Sequence, residues 1–303
     1  MSDVLKKRFI IVAGKGGVGR STLSATLALK AAQEGKKVLV AMCRAKERLS
    51  HMLDIAPIGH EITPILPNID AVNMSPSLSL REYGDLVFRV PVLSRAIFEN
   101  RMVTGLLRAI PGIEAWSLLG KAFYHATERR SDGRMRYDLV ILDAPATGHL
   151  LEMLRVPKII LDVAPAGLLR KDAERAWSMF QDSTKSGVVL VTWPEEMPAN
   201  EAVELKTALD DDIGIKTDAL VVNGVLDTIF DESEHELLMK LSTESKSLQA
   251  LLSAGKRRTL RELEQQRIIA FLDESIDAPL IKLPRFQNPN LKSAQLHELV
   301  SHL

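Results

Sequence analysis

The run Gly14-Lys15-Gly16-Gly17-Val18-Gly19-Arg20-Ser21-Thr22 gathers residue types that hold a phosphate. Four glycines let main-chain N–H groups approach oxygen atoms closely and adopt unusual dihedrals. A helix that follows such a loop aims its positive end at the anion. The spacing fits G-x-x-x-x-G-K-[ST], the Walker A pattern, except that Arg20 stands where lysine is expected; Ser21 supplies the hydroxyl that coordinates magnesium in such a loop. A second run, Tyr137-Asp138-Leu139-Val140-Ile141-Leu142-Asp143-Ala144-Pro145-Ala146-Thr147-Gly148-His149, ends an apolar stretch on an acid. A buried carboxylate is costly unless it meets a cation or donors. Asp143 therefore reads as the Walker B carboxylate, holding magnesium through its water shell. The plain alternatives are a glycine-rich turn without a ligand and an aspartate that caps a turn.

These groups need a scaffold that brings two strand ends together. Short apolar runs alternate with helical patterns, the mark of a parallel sheet covered by helices. The expected strands are Phe9–Ala13, Val38–Met42, Ala71–Met74, Leu139–Leu142, Val188–Thr192, Ala219–Asn223 and Leu280–Leu283. Most lack polar alternation, as expected when both sheet faces are buried. Helices are expected over Ser21–Glu34, Pro165–Gln181, Asn200–Leu209, Glu232–Ala254, Arg257–Glu274 and Leu291–His302, with Gly35 as a C-terminal cap and Gly255 as a bend. Residues 76–134 read as a helical insertion flanking the nucleotide end of the sheet, with Leu86, Leu93, Ile97, Leu106 and Leu107 at helical spacing and Pro91, Pro111 and Gly112 as punctuation. The fold class is α/β of the P-loop NTPase type: a mostly parallel sheet with helices on both faces and a helical insertion, residues 1–303 forming one domain.

With 39 basic and 39 acidic residues the formal charge is zero, so no large basic field exists to bind nucleic acid. Cys43 is the only cysteine; it excludes an intrachain disulfide and a thiolate zinc site built from one chain. Phe9–Ala13 is too short for a signal-peptide core, and no run approaches the ~18 apolar residues of a membrane span. A cytoplasmic protein with no integral membrane segment is expected. Leu291, Leu296, Leu299 and Leu303 favour a last helix packed on the sheet over one laid on a membrane, because its polar face has few basic residues.

Lys15, directly after the first glycine, marks the deviant form of the Walker A loop. With this loop and the Asp143–His149 run, the sequence resembles the arsenite-pump and tail-anchored-protein-targeting ATPase family, within the wider group of deviant-Walker dimeric ATPases. The resemblance extends to Val191-Thr192-Trp193-Pro194-Glu195-Glu196-Met197-Pro198 and Leu283-Pro284-Arg285, and so spans nearly the whole chain. It implies ATP and Mg2+ as ligands, with Gly14 to Thr22 around the phosphates and Ser21 and Asp143 on the metal. It implies that Lys15 reaches the nucleotide of a partner subunit, that Gly148 senses the terminal phosphate, and that Asn223 hydrogen-bonds adenine beside Pro284. Asn223-Gly224 also fits an ordinary turn, and Lys15 also fits a solvated loop lysine.

Two departures stand out. Arg20 keeps a positive charge, but its planar fork cannot imitate a compact ammonium between phosphate oxygens; a harmless variant is the alternative, since the backbone cradle is intact. Cys43 occupies the position where the family carries a switch I aspartate that places the attacking water, and a neutral thiol is a poor substitute. It reads as a small buried thiol, with a redox sensor as the sharper alternative. The expected catalytic set is Lys15, Arg20 and Asp143, with hydrolysis weakened. Three functions stay open: a dimeric ATPase coupled to a client, as a homodimer or with a paralogous ATPase; a non-catalytic ATP-sensing subunit of a heterodimer; and a membrane-positioning ATPase of the partitioning type. One cysteine excludes a several-cysteine metalloid site. Leu86, Val87, Phe88, Val90, Val92, Leu93, Ile97, Phe98 and Met102 read as core or as one wall of a client groove.

Overall fold

The computed structural model describes residues 1–43, 47–76, 78, 79, 82, 112–288 and 290–303, with the side chains of residues 113 and 114 left aside. Its centre is an eight-stranded sheet in the order β3-β4-β2-β5-β1-β6-β7-β8. The strands are β1 (Phe9–Ala13), β2 (Val38–Cys43), β3 (Thr63–Leu66), β4 (Ile69–Met74), β5 (Leu139–Asp143), β6 (Ser186–Thr192), β7 (Thr217–Val225) and β8 (Leu280–Pro284). All neighbours run parallel except β3, which pairs antiparallel with β4. Every expected strand is present, extended by one to four residues where it differs.

The apolar runs lack alternation because both faces are covered. Phe9 and Ile11 of β1 join one core with Trp116, Phe123, Phe180 and Leu272. Ile10 and Val12 join the other, with Leu23, Leu27, Leu296 and Leu299. The first face carries α4 (Ile113–Thr127), α5 (Thr147–Val163), α6 (Leu168–Gln181), α7 (Glu196–Ala208) and part of α9 (Lys246–Ser275). The second carries α2 (Arg20–Gln33), α3 (Leu49–Leu53) and α10 (Ser293–Ser301). Leu296 and Leu299 are buried against this core, as the sheet-packing reading of the last helix requires. Two further helices are α1 (Ser2–Leu5) and α8 (Glu232–Lys240).

The differences from expectation have local causes. Strand β3 is an edge strand containing Pro64, tolerated there because one side of an edge needs no N–H donor. Pro67 and Asn68 turn the chain into β4, Asn68 taking φ 62° as the third position of a type II turn demands. Helix α5 holds Pro157, which usually ends a helix; buried Leu154, Val156 and Ile160 on either side keep this one continuous. Of the expected insertion, α4 lies inside 76–134, while its apolar residues from Leu86 to Leu107 fall outside the described residues, as do Pro91 and Pro111.

The bend expected at Gly255 is a correction. Gly255 lies inside the 30-residue helix α9, and the break falls at 241–245 instead. A Cβ on Gly255 would sit 3.4 Å from the Leu238 Cδ2 of α8. That distance is ordinary contact, and alanine favours a helix interior over glycine by about 1 kcal/mol. Gly255→Ala is therefore expected to raise the unfolding free energy by about 0.5–1 kcal/mol, read from the urea midpoint at unchanged slope. A loss of stability would contradict the continuous helix.

Candidate functional site

In open parallel sheets ligands gather beyond the carboxyl ends of the strands where the strand order reverses. Here β1 sits between β5 and β6, and the loop of residues 14–19 leaves its carboxyl end to enter α2. Gly14 adopts φ 155°, and a Cβ on it would lie 2.1 Å from the Val191 carbonyl oxygen of β6. Gly19 adopts φ 103° as the N-cap of α2, and its Cβ would collide with the Asn223 side-chain nitrogen. Only glycine fits either position. At the exposed crest, by contrast, a Cβ on Gly16 or Gly17 meets nothing within 4 Å.

Helix α2 has no side-chain cap, so the N–H groups of its first turn have no intrahelical partner and no capping side chain. An open glycine crest above an uncapped helix of 14 residues fits an anion. Ser21 Oγ donates to Asp143 Oδ2 at 2.5 Å. The pairing of Val12 with Asp143 in the β1–β5 register places them together. Among the described residues no group of three or more histidine, cysteine or acidic side chains could cage a metal. One hydroxyl and one carboxylate instead suit Mg2+, which keeps several waters and takes phosphate oxygens as ligands.

Arg20 is half-buried, and its Nη1 donates to the Ala144 carbonyl, just past Asp143. Burial lowers the guanidinium's pKa, while Asp143 and Cys43 act against that shift; it stays a cation. Cys43 is buried at the end of β2, in agreement with a small core thiol, and residues 44–46 lie outside the described residues. Thr147, at the start of α5, has a buried hydroxyl with no hydrogen-bond partner, and exposed Gly148 follows it. An orphaned hydroxyl four residues after Asp143 is a second feature that a ligand would satisfy.

On the other flank, Asn223 Nδ2 and Trp193 Nε1 both donate to the Val18 carbonyl, at 2.9 and 3.0 Å. The loop is thus held from β6 and β7. Behind it opens a cleft of about 420 Å3 lined by Trp193, Pro194, Gly224, Leu226, Gln265 and Arg285. The Arg285 guanidinium lies 5.4 Å from the Trp193 ring centroid, and Pro284 ends β8 in register with Val225. Gln265 of α9 both donates to the Leu226 carbonyl and accepts from the Leu226 N–H, at 3.0 and 2.7 Å. Lys15 is separate from this cleft: its ammonium pairs with Glu201 of α7.

Sequence reasoning thus named the loop, Ser21, Asp143, Gly148, Asn223 and Pro284, and all lie around the same strand ends. It assigned no role to Trp193, Glu201 or Gln265. Trp193 had a signal, an indole one residue beyond a buried strand. Glu201 and Gln265 sit on helices with nothing local to mark them.

Burial pushes the Asp143 carboxyl above its ordinary value of 3.8, against the opposing Ser21 hydrogen bond and Arg20 charge. The folded chain therefore holds this proton more tightly than the unfolded one. That stabilising effect is full below the unfolded pKa and is lost as pH rises through the folded pKa. Asp143→Asn, neutral at every pH, is expected to raise the thermal midpoint of the ligand-free protein at pH 7, with a gain that shrinks towards pH 4. Scanning calorimetry at both pH values checks this; a lower midpoint at pH 7 would contradict it.

A family model described as anion-transporting ATPase matches residues 7–166 and 168–257. Similar proteins include the ATPase BagA of Mycobacterium tuberculosis, 27% identical over 202 residues, covering 65% of this chain and 59% of that protein. The arsenical pump-driving ATPase of Acidiphilium multivorum is 26% identical over 248 residues, 76% of this chain and 41% of that protein. The ATPase ASNA1 homolog 2 of Paramecium tetraurelia is 31% identical over 160 residues, 50% of this chain and 45% of that protein. The chain spans about half the length of the curated relatives it matches, 41% to 59% in these three. Matched over more than half of its residues by that model and carrying the glycine cradle beside a buried strand-end carboxylate, the chain belongs to the anion-transporting ATPase family.

Proposed function

We propose that this chain binds Mg-ATP at the carboxyl end of β1, as one nucleotide-binding unit, and turns it over slowly. The observation that carries the reading is the open glycine crest above an uncapped helix, with Ser21 hydrogen-bonded to a buried Asp143. In it, main-chain N–H groups from Gly14 to Thr22 hold the phosphates. Ser21 and Asp143 hold Mg2+, which when bound neutralises phosphate charge. Gly148, exposed at the start of α5, meets the terminal phosphate through its N–H. Asn223 and Pro284 border the base.

Slow turnover follows from two residues. The Arg20 fork is committed to the Ala144 carbonyl, so it is bound to the segment after Asp143 rather than free as a mobile ammonium would be. Cys43 puts a small, buried thiol where the family's switch I carboxylate would orient water. We further propose a cytoplasmic dimer, of two copies or with a paralogous ATPase, in which Lys15 serves the partner's nucleotide and a protein client answers to the closed state. No helix among the described residues is long and apolar enough to cross a membrane.

A second reading, an ATP-sensing subunit with no turnover of its own, is favoured by the same Arg20–Ala144 contact. The partitioning-type alternative has less support, because the family match and the Thr147-Gly148-His149 segment point elsewhere.

Calorimetry is expected to give saturable heat with Mg-ATP, and a ligand at 100 times its Kd adds about 2.7 kcal/mol to stability. No heat and no thermal protection at millimolar Mg-ATP would end the proposal. In a phosphate-release assay Arg20→Lys is expected to raise turnover about tenfold, some 1.4 kcal/mol of barrier. Fast turnover by the unmodified chain would remove the sensor reading and the argument for slow hydrolysis.

A further inference from the structure

The Lys15 ammonium is held by a carboxylate with no role in the site so far. Its partner, Glu201, lies on α7, and the two side chains are 29% and 34% exposed. The contact follows from how the loop is seated. Gly14 presses against the Val191 carbonyl of β6, and α7 begins at Glu196, shortly after that strand ends at Thr192. The residue after Gly14 therefore emerges beside α7, and its cation finds Glu201.

We propose that Glu201 is a positioning residue that parks Lys15 in the unpaired protomer, so that this ion pair opens before Lys15 engages the nucleotide of a second copy. The proposal rests on the nucleotide-dependent dimer advanced above. Its physical logic is that of a latch. An ion pair about one-third exposed contributes little to folding, and on opening it strands neither charge in an apolar interior. The pair is thus strong enough to bias where Lys15 points and weak enough to be exchanged for a phosphate. It makes dimer closure a competition between one carboxylate in cis and one triphosphate in trans.

Sedimentation of the full chain with Mg-ATP tests it, using wild type, Glu201→Gln, Glu201→Asp, Lys15→Ala and the Lys15→Ala/Glu201→Gln double variant. Glu201→Gln is expected to lower the dimer dissociation constant about three- to tenfold, the scale of two partly exposed pairs. Glu201→Asp should restore wild-type behaviour, and Glu201→Gln should add nothing in the Lys15→Ala background. If the wild type dimerises and Glu201→Gln does not change the constant, the latch is overturned and the dimer stands. The latch is equally overturned if the same shift persists without Lys15. If wild type and Glu201→Gln both bind Mg-ATP calorimetrically yet stay monomeric, the dimer reading falls and the latch with it.

Discussion

A carboxylate sealed at the end of a buried strand is the constraint around which this site is arranged. Asp143 is 4% exposed, and water is too scarce there to solvate its charge. The compensation comes from the neighbouring strand. Because Val12 pairs with Asp143, the chain that leaves β1 passes the carboxylate, and the first turn of α2 delivers the Ser21 hydroxyl to it. That register is itself fixed by hydrophobicity. Successive residues of β1 enter opposite cores, so a slip by one residue would exchange every side chain between them. Greasy, featureless strands thus position two polar atoms to within a hydrogen bond.

The same arrangement explains why the unusual arginine is tolerated. A guanidinium in the first turn of α2 needs acceptors, and the carbonyl just beyond Asp143 is within reach. Arg20 thereby ties the phosphate loop to the segment that opens α5.

Much of this was legible in the sequence because it is written in short stretches. Glycines at fixed spacing, a hydroxyl after them and an acid ending an apolar run are local signals, and β1, β2, β5, β6 and β7 each contain a run rich in Val, Ile, Leu and Ala. Strand β3 was missed because Pro64 and an exposed first half leave only Ile65 and Leu66 as an apolar signal. The helix break was misplaced because glycine is read as a hinge, whereas Gly255 keeps helical geometry inside α9, beside Leu238 of a neighbouring helix. Trp193 reaching Val18, and Glu201 reaching Lys15, are contacts across 175 and 186 residues, and no window of sequence contains them.

Gln265 has a mechanical consequence. By taking both the N–H and the carbonyl of Leu226 it imitates a neighbouring strand, and it fastens α9 to the chain that has just left β7 beside the cleft. Helix α9 is a rod of 30 residues, fixed near this point and exposed along most of its amino-terminal half. At 1.5 Å per residue, Lys246 lies about 28 Å along the axis from Gln265, so a tilt of about 5° at the fastening swings that end through roughly 2.5 Å. The fastening thus couples the wall of the cleft to a helix whose far end projects well beyond it.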